Sequence, residues 1–417
     1  MTGGAPSRPD VLRPEAGGAR ARIAAWALDH AGFFLGLARD YWPIPHIGDT
    51  YVVTRYDHVR EVFLNDAAFQ VTYKGKLDVI MDNAPFFLGM ADTPEYRRDT
   101  AAMRKVVRAD DIPARLIPAV NRRAEAEVAA ADGTIEVVDA LARQVTFDVL
   151  APYFGVDDPP GGDLRVSTTR LFEFQFADQG NDPSLRAEVD AMAPALRAHV
   201  DALIGACRAG GAADDSVLSR CVAMQARGED GFSDLQIRSA LVGLLVGGLP
   251  QPPMVVPQAL EQLLRRPDAL AGAQRAARDD DDALLAGYVF EALRFDPLAP
   301  ALIRVAVQDQ IIAAGAGRAA RVKKGASVLI ALSSAMMDER RVADPKIFNP
   351  RRPPHEYLHF GYGLHQCFGL HINLALLPLM LKPLLKRKGV RRAPGPDGHL
   401  VKRGLFADRL WVQFRPD

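Results

Sequence analysis

The run FGYGLHQCFG, Phe360 to Gly369, sets Gly361, Gly363 and Gly369 around Cys367 and opens onto a helix-forming stretch. Glycines permit positive φ and close backbone approach, so such a loop can press a sulfur against a flat ligand. A cysteine just ahead of a helix N-terminus is also favoured as the thiolate, the form that binds metals and attacks electrophiles. On residue types alone, a buried cysteine in a glycine-rich turn reads equally well. Upstream, Glu291 and Arg294 in FEALR stand at i and i+3, close enough on one helical face to pair. Taken alone that is commonplace, since an exposed pair contributes only ~0–1 kcal/mol.

Helical periodicity dominates the elements that must position these groups, over residues 122–131, 136–154, 183–208, 233–249, 254–264, 280–295 and 370–386. Residues 49–59 read as β-rich with a helix following over 60–64, and short β-rich runs lie at 304–312, 327–332 and 409–414. The loop DDPPGG, 157–162, interrupts without dividing the chain, and no repeat or long linker occurs. The class is mainly α with minor β, with residues 22–417 as one unit. Residues 1–21, rich in Gly, Pro, Ala and Arg and without the apolar core of a signal peptide, read as a flexible tail.

The chain has 417 residues, 48% hydrophobic and 24% charged, enough apolar material for a large core and too much for a disordered chain. Lys and Arg number 51 against 51 Asp and Glu, so whole-chain electrostatics points to neither nucleic acid nor an anionic membrane surface; the expected partner is a small molecule. The three cysteines, Cys207, Cys221 and Cys367, fit neither a disulfide framework nor a zinc site, which agrees with a reducing, cytoplasmic setting. No stretch reaches the roughly 18–20 uninterrupted apolar residues of a membrane span.

The cysteine loop resembles that of the cytochrome P450 family, matching Phe360, Gly363, His365, Cys367 and Gly369 at the family spacing, with Gly361 also typical. The resemblance implies a cytochrome P450-like fold, a helix-rich domain and a small β-rich domain around a buried haem b (iron protoporphyrin IX). It implies Cys367 as the proximal thiolate ligand, whose electron donation favours O–O cleavage, and His365 against a haem propionate. FEALR is similar to the family's ExxR helix, whose Glu291 and Arg294 would be buried and completed by an arginine ahead of the cysteine loop. FNPRR supplies it, with Arg352 the better match and Arg351 the fallback. PALIRVAVQDQ resembles the strand whose arginine binds a propionate, here Arg304, and KKGASVLIALSSAMMD leads on to FNPRR with Asp338 in the family's acidic place. DTPEYRRDTAAMRKVV is similar to the segment that sets a His and an Arg on the propionates, but the histidine is missing. Anchoring on RKVV places Arg104 at the arginine position and Thr100 at the histidine position; anchoring on PEY puts Tyr96 there instead.

The stretch from FSD to RRPDAL, residues 232–270, matches on both flanks and without a gap the family helix that crosses the distal haem face. In that register the candidate catalytic positions are Gly248, Leu249 and Gln251, with Pro250 standing where most monooxygenases carry an acid and Gln251 where they carry threonine. Activating O2 needs two protons delivered by a positioned acid and hydroxyl or by ordered water, and an amide does not titrate. Gln251 still donates and accepts hydrogen bonds, so it can hold a peroxide that arrives already reduced. The alternative is that it only satisfies backbone groups freed by a helix break while water moves the protons. Proline costs ~3 kcal/mol or more inside a helix, so Pro250, Pro252, Pro253 and Pro257 cannot share one regular helix. The spacing predicts a first segment ending near Gly248 and a second with Pro252 or Pro253 in its first turn.

The missing acid and alcohol point to a haem-thiolate oxidoreductase acting on an apolar, lipid-like small molecule, using peroxide or rearranging an organic hydroperoxide. Relatives by resemblance that isomerise fatty-acid hydroperoxides also lack the pair and need no electron partner; a peroxide-generating enzyme would then be the partner. The alternative is a monooxygenase fed with electrons by a reductase and ferredoxin, for which Lys382, Lys386, Arg387 and Lys388 are candidate docking residues. A third reading, of another class, is a haem-binding sensor or partner protein without turnover. The resemblance makes Phe86, Phe87, Leu245, Gly248, Leu249, Leu298, Ala301, Leu302 and Phe406 substrate-facing, all apolar or small as an apolar ligand requires.

Overall fold

A computed structural model describes residues 10–13, 32–210 and 214–416. The β-branched runs TYVV and SVLI pair as parallel strands, Thr50–Val53 against Ser327–Ile330, with Val53 opposite Ile330. They sit within a five-stranded sheet in the order His46–Ile47, Thr50–Val53, Ser327–Ile330, Leu302–Ala306, Phe69–Val71. Strand alternation puts Arg304 and Ala306 on the buried face, so the sheet delivers a guanidinium into the interior. A small apolar core containing Val53, Val59, Phe63, Phe69, Val328 and Leu358 lies beneath. A much larger helical core takes in Phe87, Leu245, Leu260, Val289, Phe368 and Leu381. The architecture is therefore the expected one, mainly α with a minor β part.

Several helices match their periodic stretches to within two or three residues: Pro183–Gly210, Asp234–Gly248, Pro252–Leu264, Asp282–Phe295 and Leu370–Lys386. Others start earlier than the sequence suggests. The helix expected from Arg60 begins at Tyr56, because Asp338 Oδ2 accepts the Tyr56 N–H at 3.1 Å and supplies a cap that Arg55 does not. The stretch 122–131 belongs to a helix Ile117–Ala130 whose first turn holds Pro118. Lys74–Met81, Pro94–Val106, Leu164–Phe172, Val217–Ala226 and Pro267–Arg278 are helices that periodicity did not single out. In Pro94–Val106 the buried face mixes Asp99 with Ala102, Met103 and Val106, which blurs the apolar repeat.

Of the expected N-terminal tail, residues 10–13 are ordered by packing. Leu12 joins the helical core, and Arg13 pairs with Asp182 at 2.8 Å. The rest of that stretch lies outside the described residues. Asp234–Leu264 taken together is long and apolar enough on average to cross a membrane, although Gln251 and the prolines interrupt its apolar run; 83% of its most apolar window is buried, as in a core helix.

The proline break falls where the spacing predicts. Ser233 and Gln236 form a capping box at the start of Asp234–Gly248, and Pro252–Leu264 follows with two prolines in its first turn. Leu249 and Gln251 keep helical dihedrals, so the chain loses hydrogen bonds there more than direction. Pro250, Pro252 and Pro253 cannot donate to the carbonyls of Val246, Gly248 and Leu249. The Met254 and Val255 N–H groups both donate to the Gln251 carbonyl, at 2.9 and 3.0 Å.

A buried charge cluster ties the helix Asp282–Phe295 to the segment before the cysteine loop. Arg294 donates to Glu291 through Nε and Nη2 at 2.9 and 2.7 Å, and Arg352 Nε donates to Glu291 Oε2 at 3.1 Å. The Asn349 N–H and Tyr357 hydroxyl complete the carboxylate's shell at 3.0 Å each, and Arg352 also donates to Glu356 at 2.7 Å. Arg352 is thus the partner and Arg351 is exposed. Gly287 lets the helix reach this segment, since a Cβ there would collide with the Pro350 carbonyl.

Burial alone would push the Glu291 carboxyl up, but hydrogen bonds from Arg294 and the Asn349 N–H and the charges of Arg294 and Arg352 hold it below the ordinary carboxylate range. A depressed carboxylate stabilises fully above its unfolded pKa, and that contribution is lost as pH falls through the folded value. Glu291→Gln leaves the buried Arg294 without a counter-charge and Arg352 with Glu356 alone, and is expected to cost ~3–5 kcal/mol in urea unfolding at neutral pH. The gap to wild type should narrow in acid, where the native carboxylate also loses its charge.

Candidate functional site

The Cys367 loop is built by its own backbone and by its neighbours. The Cys367 N–H donates to the Phe360 carbonyl at 2.9 Å, closing the loop, and the Leu370 N–H donates to the Cys367 carbonyl at 3.2 Å as the helix Leu370–Lys386 begins. Gly361 and Gly363 adopt φ of +70° and +74°. A Cβ on Gly363 would stand 2.6 Å from the Phe63 carbonyl, so glycine is required where the loop meets the helix Tyr56–Leu64. The Tyr96 hydroxyl donates to the Leu364 carbonyl at 2.8 Å, which commits that side chain to holding the loop. Burial pushes the Cys367 thiol up; the Gly369 N–H, the Arg104 guanidinium and the Asn373 side chain pull the other way.

Cationic and donor groups converge near this loop, where Asp66 is the carboxylate that acts on Arg304 through space. Arg304 is 5% exposed and has a hydrogen bond to the Ile303 carbonyl at 3.2 Å, but among the described residues no carboxylate lies within ion-pair distance of it. Its burial holds the guanidinium below its ordinary range. His365 is pushed down to about 4 by burial and by Arg304 beside it, and its Nδ1 is buried without a partner. Arg104 lies over the Phe368 ring, 4.0 Å from its centroid, and donates to the Phe368 carbonyl at 3.2 Å. Thr100, one turn before it, has a buried hydroxyl without a partner.

The distal helix presents an open face of Gly247, Gly248 and Gln251. A Cβ on either glycine would meet nothing within 4 Å, and Gln251 is half-buried. At 3.6 residues per turn these three share one side. Leu245 and Leu249 are 0% exposed, within the helical core. Phe86 and Phe87 are also buried; Phe87 packs on Phe368 of the cysteine loop, ring centroids 5.2 Å apart, and bridges to that loop. Phe406 stands against Phe172 at 6.0 Å, and Leu298, Ala301 and Leu302 are half-buried.

A family model described as "Cytochrome P450" matches residues 213–396, which holds the distal helix, the Glu291 cluster and the cysteine loop. Over that stretch the chain is similar to the cytochrome P450 family. It is 32% identical over 179 residues to a bifunctional dioxygenase–epoxy alcohol synthase of Pyricularia oryzae, a match covering 41% of this chain and 15% of that protein's length. It is 26% identical over 354 residues to the cytochrome P450 monooxygenase PikC of Streptomyces venezuelae, covering 82% of this chain and 79% of PikC. The fold matches that of P450BioI in complex with hexadec-9Z-enoic acid ligated acyl carrier protein with a TM-score of 0.80 at 19% identity, over 94% of this chain and 100% of that one.

A cytochrome P450 implies a haem, and the residues present suit one. A sulfur at the loop tip would supply a ligand to the iron, and the buried guanidinium of Arg304, the exposed one of Arg104 and the unpartnered His365 Nδ1 would supply donors for propionates. The glycines of the distal helix leave space on the other side. Asn373 is the residue at this site that sequence reasoning missed; its signal is its place one helical turn after Gly369.

Cys367→Ala is expected to abolish the thiolate-type ferrous–CO absorption spectrum. Arg304→Ala is expected to speed haem transfer to an apomyoglobin acceptor about tenfold or more, corresponding to the ~1.5–3 kcal/mol of a charged hydrogen bond.

Proposed function

We propose that this protein is a haem-thiolate oxidoreductase, with haem b, that rearranges an apolar, lipid-like organic hydroperoxide into an isomeric product such as an epoxy alcohol. The observation that carries this reading is the open face of the distal helix, where Gly247, Gly248 and the Gln251 amide stand and Pro250 replaces an acid. An epoxy alcohol contains the same atoms as the unsaturated hydroperoxide from which it forms. One O–O bond and one C=C π bond are exchanged for C–O bonds, with both oxygens retained and no external electrons consumed. A distal face without a titratable relay loses nothing in such a reaction. The epoxy alcohol synthase among the relatives supports the same reading.

When bound, the haem supplies a redox-active iron whose thiolate ligand favours cleavage of an O–O bond. The chain's own residues set what happens around it. Cys367 provides the sulfur, and Arg304, His365 and Arg104 with Thr100 hold the propionates. The Gln251 backbone carbonyl is already taken by Met254 and Val255, which leaves the side chain for a ligand. Its amide can donate to the hydroperoxide's inner oxygen and accept the outer O–H, fixing the group over Gly247 and Gly248. Phe172 and Phe406, packed edge to face with ring centroids 6.0 Å apart, would supply an apolar wall that excludes water.

Three of the four residues expected to dock a ferredoxin, Lys382, Lys386 and Arg387, are engaged within the chain. Lys382 pairs with Asp280 and Asp282 at 2.9 and 2.6 Å, Lys386 with Asp280 at 2.7 Å, and Arg387 with Glu125 at 2.5 Å. Little net charge remains there for an acidic electron donor. The second reading, an O2- and reductase-dependent monooxygenase, is favoured by the similarity to PikC over most of the chain.

Ferric protein mixed anaerobically with a polyunsaturated fatty-acid hydroperoxide, without reductant, is expected to yield isomeric products by mass spectrometry. Gln251→Leu should slow this about tenfold, the ~1.5 kcal/mol of one hydrogen bond. Intact haem with no conversion, together with substrate-dependent NAD(P)H consumption in air with added ferredoxin and reductase, would transfer the assignment to the monooxygenase.

A further inference from the structure

We propose that the apolar side of the helix at residues 32–41, with the groove at its C-terminal end, is a docking surface for a membrane that contains anionic phospholipid. Phe33, Phe34, Leu37 and Tyr41 lie within about 100° of arc at 3.6 residues per turn, and all four are between 45% and 69% exposed. An amphipathic helix of a globular fold ordinarily turns such a stripe into the core. Here the opposite side docks: Arg39 Nη1 donates to the Ser334 carbonyl at 3.0 Å, and the Ser334 hydroxyl donates to the Leu35 carbonyl at 3.4 Å. The aromatic side is left facing outward. Trp42 follows it, exposed and with its N–H donating to the Ala38 carbonyl at 2.8 Å, and Ile47 on the edge strand of the five-stranded sheet is exposed as well.

What borders this face selects its occupant. Trp42, His46 and Tyr51 line a groove of about 440 Å³ together with Arg318 and Arg321. The His46 ring stacks on Tyr51 with centroids 5.1 Å apart, and the Tyr51 hydroxyl donates to the Arg321 carbonyl at 2.8 Å. Neither Arg318 nor Arg321 has a carboxylate partner among the described residues, and both are exposed. Arg55 closes the end of the helix by donating to the Arg39 and Asp40 carbonyls at 2.9 and 3.3 Å. Burial and the nearby charges of Arg340 and Arg318 hold the Arg55 guanidinium below its ordinary range. Asp40, at the edge of the aromatic side, is taken up by Arg340 at 3.4 Å. Unpaired positive charge beside outward-facing rings complements phosphate headgroups lying over acyl chains: Phe and Leu enter the apolar layer, Trp and Tyr sit at its wet boundary, and arginines reach the phosphates. The whole chain carries no net charge, so this attraction is local to the one face. Docked there, the protein would stand where an apolar, lipid-like substrate is dissolved.

The test uses the haem-loaded full chain and vesicles of phosphatidylcholine, with and without phosphatidylglycerol. Binding is read by co-sedimentation and by the Trp42 emission of a Trp26→Phe/Trp411→Phe protein, which keeps one of the chain's three tryptophans. Wild type is expected to bind, more tightly where phosphatidylglycerol is present, with Trp42 emission shifted to the blue. Phe33→Ser/Phe34→Ser/Leu37→Ser should weaken binding to the mixed vesicles about a hundredfold or more. Arg318→Gln/Arg321→Gln should weaken it about thirtyfold, the ~2 kcal/mol of two arginines near an anionic surface, and leave binding to phosphatidylcholine alone unchanged. An unchanged ferrous–CO spectrum checks that each variant is folded. Wild type that binds neither vesicle would overturn the inference, and a dimer dissolved by the serine variant would then give the face to a second copy. Binding that survives the serine substitutions, or that ignores phosphatidylglycerol, would overturn it too. Because no turnover is read, vesicle binding alongside a failed hydroperoxide assay would count against the proposed reaction alone.

Discussion

Glu291 has a carboxylate with no exposed atom, and a charge so placed must find every hydrogen bond it needs inside the fold. It finds them in Arg294 on its own helix and in Arg352, Tyr357 and the Asn349 N–H, all on the segment that runs into the cysteine loop. Removing either cation would strand a charge in low dielectric, so the arrangement tolerates little displacement. That rigidity passes to Phe360, whose carbonyl takes the Cys367 N–H, and thus to the sulfur. The position of the putting-together atom of the site, Cys367 Sγ, is set by an ion cluster that never touches a ligand.

Two further constraints act on the other side of the site. Four prolines in and after the distal helix take away backbone donors, and the helix responds by dividing between Gly248 and Pro252 while its dihedrals stay helical. Gln251 ends up with its carbonyl used twice and its side chain on the same face as two glycines. Arg304, by contrast, is presented by a strand, where alternation forces it inward beside His365. Two such groups held together, with no carboxylate within ion-pair distance of Arg304 among the described residues, describe an anion's place. The same geometry that makes them costly in isolation makes them useful once a doubly anionic ligand is bound.

Much of this was legible because it is local. The glycine and cysteine spacing of the loop, the i and i+3 pair Glu291 and Arg294, and the prolines after Gly248 each act within one or two turns of chain, so residue type and spacing suffice. Helix Tyr56–Leu64 starts four residues before its apparent signal because its cap, Asp338, comes from a distant part of the chain. Lys382 and Lys386 look free until Asp280 and Asp282 arrive beside them.

The sequence by itself determined the sulfur, its glycine cradle, the buried-pair helix and the absence of an acid and alcohol at the distal positions, because each is a matter of which side chain stands at which local spacing. Tertiary structure decided which residues face the cavity and which cations are neutralised. Those outcomes depend on how elements far apart in sequence rotate and pack against one another to bury apolar area and satisfy every internal charge, and no local pattern encodes that geometry.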